Sequence, residues 1–329
     1  MIIDVEHHLM MASQLEKGSS PSGRICERYW DRDGQMKIRV YQDASSVDKH
    51  LEFMDRAGID VAVLSTNPEL PLEQSKKWND FCAKVARENP KRFLGFASIP
   101  SLGGKPALEE LERAVKELGF KGVHIWTIAN GQPLDSRERW PFYEKVSELG
   151  IPIDVHISGS PPGLDVALRA PYALYYVLAR EFDMAAATLR VCLGGVLEDF
   201  PDLVFIMNHF GGGVSSVIER LDAYMSYVGP GWPDFYYDKH SISRPWREYF
   251  DKLYFNMAGR EMGVDTLKCA LTNISPRRLM FGTDWPFNFD GNPQDVKRYV
   301  KAIRDMELTE EDTDAMLGGN AARLLGLGH

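Results

Sequence analysis

The chain has 329 residues, of which 44% are hydrophobic and 26% are charged, and its formal net charge is -9. This composition is typical of a globular protein with a large buried core. The acidic balance, without any run rich in lysine and arginine, argues against nucleic acid as a partner, and no apolar run is long enough to span a membrane. We therefore expect chemistry on a small metabolite, in the cytoplasm.

The four cysteines are widely spaced and form no Cys-x-x-Cys pair. Such spacing favours neither a thiolate zinc site nor a disulfide framework, so we expect reduced and mostly buried thiols. Residue 2 already begins a predicted strand whose end carries site residues. The sequence therefore indicates no removable signal peptide.

The first predicted strand, residues 2–9, is an apolar run that ends in ionisable side chains. Strand side chains alternate between two faces, which would place Asp4, Glu6 and His8 on one face and His7 on the other. A carboxylate and an imidazole two residues apart are ligands for zinc or manganese. A solvated strand end is the alternative, unless matching ligands follow elsewhere in the chain.

A long irregular segment follows, roughly residues 11–45, with a short predicted strand at 36–41. Loops of this length inside a compact domain often act as lids or binding loops. The segment carries Arg24, Arg28, Tyr29, Trp30 and Arg32. These side chains either line a pocket or belong to an insertion that packs on the surface of the domain.

From Ser46 onward, predicted helices and strands alternate. Strands are predicted at 59–65, 93–99, 122–127, 151–156, 203–209, 253–257 and 279–284. Helices are predicted at 47–57, 78–88, 108–118, 141–149, 172–197, from Val214 onward, and at 264–271, 293–306 and 310–325. Apolar strands that alternate with helices are typical of a parallel sheet buried on both faces. Eight such units favour an α/β fold, a (β/α)8 TIM barrel over residues 1–329 as one domain, with a long insertion after strand 1 and C-terminal helices; a doubly wound sheet is the second choice.

Three later strands share the form of the first, an apolar run that ends in a ligand-type residue. His156 ends the fifth strand, His209 the sixth and Asp284 the eighth. The carboxyl ends of barrel strands converge on one face, where barrel enzymes keep their active sites. The pattern predicts that these residues meet Glu6 and His8 at one barrel mouth.

Motifs along nearly the whole chain resemble those of one known family. They are Glu6-His7-His8, Asn79-Asp80, residues 92–97, Gly122-Val123, residues 195–202, His209-Phe210-Gly211-Gly212, residues 281–287 and residues 319–325. The sequence resembles the amidohydrolase superfamily and, within it, the branch that contains the aminocarboxymuconate-semialdehyde and dihydroxybenzoate-type decarboxylases.

This resemblance implies one divalent ion per chain, bound by Glu6, His8, His156 and Asp284. It also implies that His209 stands beside the ion as a catalytic imidazole and that Asp284 takes part in catalysis. The commoner opening of the branch is His-x-His, whereas this chain has Glu6-x-His8, as the aromatic decarboxylases do. The additional negative charge and hard oxygen favour manganese, with zinc as the alternative.

The substrate contacts implied by the resemblance are less specific. Arg220, eleven positions after His209, either pairs with a substrate carboxylate or forms a surface ion pair. Trp285 and Phe287 flank the barrel mouth and suit a flat anionic ligand. In the aromatic decarboxylases a glutamate three residues after the catalytic histidine orients it, but this chain has Gly212, so either another group or the substrate must fix the imidazole.

Four other polar residues are expected to be structural. His7 faces the helices, and His124 lies in the middle of a strand as a packed, hydrogen-bonded histidine. Asp4 and Asp154 share the parity of the ligands but lie one layer deeper. We expect them to orient the ligands or to join a buried polar network.

The leading hypothesis is a metal-dependent non-oxidative decarboxylase of a hydroxylated aromatic or unsaturated carboxylic acid. The ion would chelate the substrate carboxylate, and Asp284 or His209 would protonate the carbon that loses CO2. The alternative is a hydrolase in which the ion activates a water, Asp284 accepts its proton and His209 stabilises the oxyanion. A binding protein without catalysis is disfavoured because every ligand-type residue and His209 are retained. The branch also suggests a homodimer.

Overall fold

The structure is a computed structural model that describes residues 1–18, 20, 22–32, 34–159, 168, 173–226, 242–257 and 263–327. Its strands within these ranges are β1 (Ile3–His8), β2 (Cys26–Trp30), β3 (Met36–Val40), β4 (Val61–Ser65), β5 (Phe93–Ser98), β6 (Gly122–Trp126), β7 (Ile128–Ala129), β8 (Gln132–Pro133), β9 (Ile153–His156), β10 (Phe205–Met207), β11 (Tyr254–Asn256) and β12 (Leu279–Met280).

The α-helices of the described residues lie mostly between these strands. They are Val47–Ala57, Leu72–Glu88, Gly104–Lys116, Trp140–Leu149, Arg180–Leu193, Val196–Asp199, Ile218–Ser226, Trp246–Phe250, Gly263–Ala270, Pro293–Arg304, Glu310–Asp314 and Asn320–Leu325. Two π-helical turns, Tyr175–Ala179 and Ala315–Gly319, lead into helices. The predicted helix 172–197 begins at Tyr172, which lies outside the described residues. None of the described helices is long and apolar enough to cross a membrane.

Eight strands form one sheet in the order β1-β4-β5-β6-β9-β10-β11-β12, with every pair parallel. The sheet curls so that β1 meets β12 again: Val5 N donates to Phe281 O at 3.0 Å, and His8 N donates to Trp285 O at 2.8 Å. The predicted TIM barrel is therefore confirmed, and the doubly wound alternative is not found.

The lower interior of the barrel is filled by side chains from several strands. Val5, Val63, Phe96, Ile206 and Met280 are buried in one cluster with Ile3 and with the C-terminal helix Asn320–Leu325. Bulky side chains that meet in a layer close the centre of a barrel. The polar residues at the carboxyl ends of the same strands therefore lie directly above a packed hydrophobic layer.

The insertion after β1 is an antiparallel hairpin of β2 and β3, paired from Cys26 with Val40 to Trp30 with Met36. The sequence predicted β3 but not β2. The hairpin reaches the barrel mouth, because an Arg28 guanidinium N–H donates to Phe287 O at 2.8 Å.

A second small hairpin, formed by β7 and β8, was not predicted from the sequence. Its turn is Asn130-Gly131, with φ of 50° and 76°. An Asn-Gly pair favours this left-handed hairpin turn, so the signal was present in the sequence.

Candidate metal and active site

Four buried side chains meet at the carboxyl-terminal mouth of the barrel. Glu6 and His8 extend from β1, His156 ends β9, and Asp284 follows β12; one potential ligand atom of each lies within 4.8 Å of the others. His8 Nε2 lies 2.9 Å from Asp284 Oδ1, and His156 Nε2 lies 3.8 Å from Glu6 Oε1. The fold thus brings together the four residues that the family resemblance assigns to one ion.

Both histidines of this cluster are oriented through their second ring nitrogen. His8 Nδ1 lies 3.2 Å from the Ser65 hydroxyl, and His156 Nδ1 lies 3.2 Å from the carbonyl oxygen of Ile157. These contacts leave Nε2 of each ring facing the cluster. Outer hydrogen bonds of this kind fix the ring orientation of metal-binding histidines.

Both carboxylates are held by asparagine amides. Asn208 Nδ2 donates to Glu6 Oε1 at 3.0 Å, and Asn288 Nδ2 donates to Asp284 Oδ2 at 3.1 Å. Neither asparagine was predicted from the sequence. Asn208 directly precedes His209, so its position at a strand end was the one signal available.

The electrostatics of the cluster fit a divalent cation. Burial and the neighbouring Asp284 raise the pKa of Glu6, and burial holds the pKa of His156 well below its usual range. Glu6 Oε2 is buried and has no hydrogen-bond partner among the described residues. Two crowded carboxylates are costly to bury without a counter-charge, whereas an ion with +2 charge compensates both. Two carboxylate oxygens and two imidazole nitrogens form a donor set suited to manganese or zinc.

His209 stands beside this cluster at the end of β10. Its Nε2 lies 3.7 Å from Glu6 Oε1, and its backbone N donates to Asn256 Oδ1 at 3.1 Å. On the other side of the ring, Nδ1 lies 2.9 Å from Oε1 of Glu181, which belongs to the helix Arg180–Leu193. Burial opposes protonation, but Glu181 and then Glu6 outweigh it and hold the pKa of His209 well above its usual value.

A cavity of about 200 Å³ opens onto the cluster. It is lined by His8, Ile38, Asn67, Pro68, Trp126, His156, Ile157, Ser158, Tyr175, Tyr176, Arg180, Asp284 and Phe287. Arg180 is the one arginine or lysine among these residues, and no carboxylate of the described chain pairs with it. The aromatic walls and the cation suit a flat anionic ligand.

Of the three residues predicted to contact the substrate, only Phe287 lines this cavity. Trp285 is fully buried outside it and stacks on His7, with ring centroids 5.0 Å apart. Arg220 is exposed on the helix Ile218–Ser226, with its guanidinium 5.0 Å from the ring of Tyr224, and does not line the cavity.

The insertion contributes Ile38 to the cavity, whereas Tyr29 and Trp30 are exposed. Arg180, which the sequence analysis missed, lies among the lining residues. It follows the cavity-lining Tyr175 and Tyr176 on the same helical stretch.

Asp4 does not share the face of Glu6 and His8, so this part of the prediction was wrong. The pairing of β1 with β4 shifts register between Asp4 and His7, and the Asp4 carboxylate turns to His7 Nδ1 at 2.8 Å. Thr283 donates to the same carboxylate through its backbone N and its hydroxyl, at 2.8 and 2.6 Å. The alternative of a buried polar network is confirmed, and the network fixes the residue that precedes Asp284.

The burial and hydrogen bonds expected for the other polar residues are observed. His7 is fully buried and also contacts His50. His124 Nδ1 lies 2.5 Å from Asp154 Oδ2, and both side chains are buried two residues before the ends of their strands. Burial raises the pKa of Asp154 well above its usual range and lowers that of His124 to about 3.

Comparisons with known proteins agree with this geometry. A protein-family model described as amidohydrolase matches residues 3–327. The γ-resorcylate decarboxylase of Polaromonas sp. (strain JS666) is 28% identical over 301 residues, 85% of this chain and 87% of that protein. The 2-amino-3-carboxymuconate-6-semialdehyde decarboxylase of Dictyostelium discoideum is 28% identical over 305 residues, 90% of this chain and 80% of that protein.

One solved structure extends the comparison to the metal. The dihydroxybenzoic acid decarboxylase of Polaromonas sp. JS666, with bound manganese and the inhibitor 2-nitroresorcinol, superposes with a TM-score of 0.79 at 25% identity. The match covers 100% of this chain and 97% of that chain. With a family match along almost its whole length and a barrel mouth that carries the expected cluster, the chain belongs to the amidohydrolase family.

Proposed function

We propose that the protein is a metal-dependent non-oxidative decarboxylase of a hydroxylated aromatic or unsaturated carboxylic acid. The main support for this proposal is the cavity, which opens directly onto the buried cluster of Glu6, His8, His156 and Asp284. Its walls carry aromatic side chains and Arg180. Distant relatives named for the decarboxylation of a hydroxylated aromatic acid and of a muconate semialdehyde support it.

Glu6, His8, His156 and Asp284 are the residues that would hold the ion. When bound, a divalent ion supplies a Lewis acid for an anionic oxygen of the substrate. We propose manganese because carboxylate oxygens make up half of the donor set and because the Polaromonas decarboxylase contains manganese. Zinc remains the alternative.

The side chains around the cavity bind and orient the acid. Arg180 pairs with an anionic group of the substrate, and Trp126 and Phe287 pack against its flat part. A charge-assisted hydrogen bond to a guanidinium contributes roughly 1.5–3 kcal/mol. The aromatic walls also keep water away from the reacting carbon.

Asp284 is the proposed proton donor because it lines the cavity. It gives a proton to the carbon that bears the carboxylate; the bond to the carboxylate then breaks, its electron pair returns to the conjugated system, and CO2 leaves. Solvent restores the proton on Asp284. His209, with its raised pKa, places positive charge beside Glu6 during these steps.

The experiment is turnover of γ-resorcylate and of muconate-type acids labelled with carbon-13 in the carboxylate, by the manganese-loaded protein. We expect labelled CO2 and one decarboxylated product in equal amounts. Asp284→Asn, which keeps the size of the side chain, should lower the rate by about 100-fold or more while the barrel stays folded. Wild-type turnover by Asp284→Asn would show that Asp284 is not the proton donor, and absence of CO2 from every acid would contradict the proposed reaction.

A further inference from the structure

The imidazole of His209 has a carboxylate partner far away in the sequence. We propose that Glu181 is the positioning residue of His209 and takes the place of a glutamate that position 212 cannot hold. Its Oε1 lies 2.9 Å from His209 Nδ1, and its side chain is 16% exposed. The inference rests on the proposed function in assigning His209 a part in the reaction, but the contact itself does not depend on which reaction occurs.

The backbone around His209 explains why the partner comes from another element. Residues 209–213 all have φ between 53° and 69°, a run of left-handed conformation that passes directly under the helix Arg180–Leu193. A Cβ atom built on Gly212 would lie 2.2 Å from Glu181 O and 2.5 Å from Ala185 N. Any side chain at position 212, a glutamate included, would collide with the helix backbone, so the close approach requires glycine.

The close approach of the turn to the helix Arg180–Leu193 also brings the Glu181 carboxylate within hydrogen-bond distance of the His209 imidazole. Thr188, two turns further along the helix, lies 3.4 Å from Gly211 O through its hydroxyl. A Cβ atom on Gly211 would lie 3.0 Å from that hydroxyl oxygen. The helix Arg180–Leu193 therefore packs against the turn both near Glu181 and near Thr188. This packing holds the Glu181–His209 pair in place, unlike a flexible ion pair on the surface.

Glu181 acts on the reaction through the orientation of the ring. When Nδ1–H donates to Glu181, Nε2 is the nitrogen that faces Glu6 and the ligand cluster. Without the carboxylate, the ring has no partner for Nδ1 and can turn about its χ2 bond, so that Nε2 spends less time in this position. Groups that orient a site residue in this way commonly change activity by about 10- to 100-fold.

The test compares Glu181→Ala, the isosteric Glu181→Gln and a control, Glu219→Ala, which removes an exposed glutamate from the helix Ile218–Ser226. We expect Glu181→Ala to lower kcat by about 10- to 100-fold with little change in KM or metal content. Added formate should restore part of the rate by filling the vacated carboxylate position. The control should behave as the wild type.

Nitrogen-15 NMR of protein labelled at histidine supplies a readout that needs no substrate. The wild type should show a hydrogen-bonded Nδ1–H of His209, assigned with His209→Gln, and Glu181→Ala should lose that signal. Unchanged kcat in both Glu181 variants, or an unchanged Nδ1–H signal, would overturn the inference. If no acid is decarboxylated, the proposed function fails while the NMR result still decides the role of Glu181.

Discussion

Asn208 Nδ2 donates a hydrogen bond to Glu6 Oε1 across 3.0 Å and so ties the end of β10 to the end of β1. Two neighbouring residues that directly follow β10 thereby contact the same carboxylate, since His209 Nε2 lies 3.7 Å from the same oxygen. The bond fixes one oxygen of Glu6 and leaves Oε2 without a partner among the described residues. Under the proposed assignment, this bond would orient Glu6 before an ion binds.

Removal of this amide should weaken ion binding. For Asn208→Ala we expect the affinity for manganese to fall by about 10- to 100-fold, because Glu6 loses the donor that orients it. Competition with a chelating dye measures this directly. The matched control is Asn89→Ala, whose amide donates to Val85 O at the end of the helix Leu72–Glu88, far from the barrel mouth. Equal affinities in the two variants would contradict the role of Asn208.

The metal content tests the ligand assignment. Purified without chelator, the protein should hold close to one divalent ion per chain, and His8→Ala or His156→Ala should empty the site, as measured by elemental analysis. Each substitution removes one of the two imidazole donors, and the remaining donors are the other imidazole and the carboxylates of Glu6 and Asp284. A double alanine variant that retains a full equivalent of metal would rule out this site.

Arg180 should determine the affinity for the acid rather than the rate of the chemical step. Arg180→Ala should raise KM by about 10- to 100-fold, because an anionic group of the substrate loses a charge-assisted hydrogen bond. The control is Arg190→Ala on the same helix, whose guanidinium pairs with Asp135 at 2.6 Å outside the cavity. If steady-state kinetics give the same KM for both variants, Arg180 does not bind the substrate.

The stability of the protein should depend on His50 below neutral pH. His50 is fully buried, and burial together with His7 lowers its pKa to about 3. The unfolded chain binds a proton at this position below a pH of about 6.5, whereas the folded chain does not until the pH approaches its lowered pKa. The contribution of His50 to stability is therefore complete above a pH of about 6.5. Below that pH it is lost by about 1.4 kcal/mol per pH unit, until the pH approaches the lowered pKa.

We therefore compare the free energy of unfolding at pH 7 and pH 5 by urea titration. The loss between these values should be about 2 kcal/mol smaller in His50→Gln than in the wild type. Lys105→Gln, which changes an exposed side chain, should lose as much as the wild type. Equal losses in all three proteins would show that His50 is not buried in its neutral form.

The sequence predicted those parts of the site that depend on local patterns. Apolar strands with ligand-type ends predicted that Glu6, His8, His156, His209 and Asp284 meet at one barrel mouth, because parallel strands deliver their carboxyl ends to one face of a barrel. The pattern failed at Asp4, since a register shift in β1 reverses the alternation on which the prediction relied. Strict alternation holds only where no bulge intervenes.

The partners contributed by tertiary packing were beyond such patterns. Glu181 and Arg180 lie on a helix whose seating depends on Gly211 and Gly212, and nothing in their local sequence relates them to His209. The three consecutive glycines after Phe210 are a signal of close backbone approach that the prediction did not use, and they do not specify which element approaches. The exposed position of Arg220 likewise depends on how its helix packs.

The position of solvent atoms in the product distinguishes a decarboxylase from a hydrolase. A decarboxylase places a solvent proton on the carbon that held the carboxylate, whereas a hydrolase places solvent oxygen on a cleaved acyl group. For the manganese-loaded protein acting on γ-resorcylate or a muconate-type acid in heavy water, we predict one deuterium on that carbon and release of CO2. Oxygen-18 from labelled water in a cleaved acid product, without CO2, would contradict the proposed decarboxylation and identify a hydrolase.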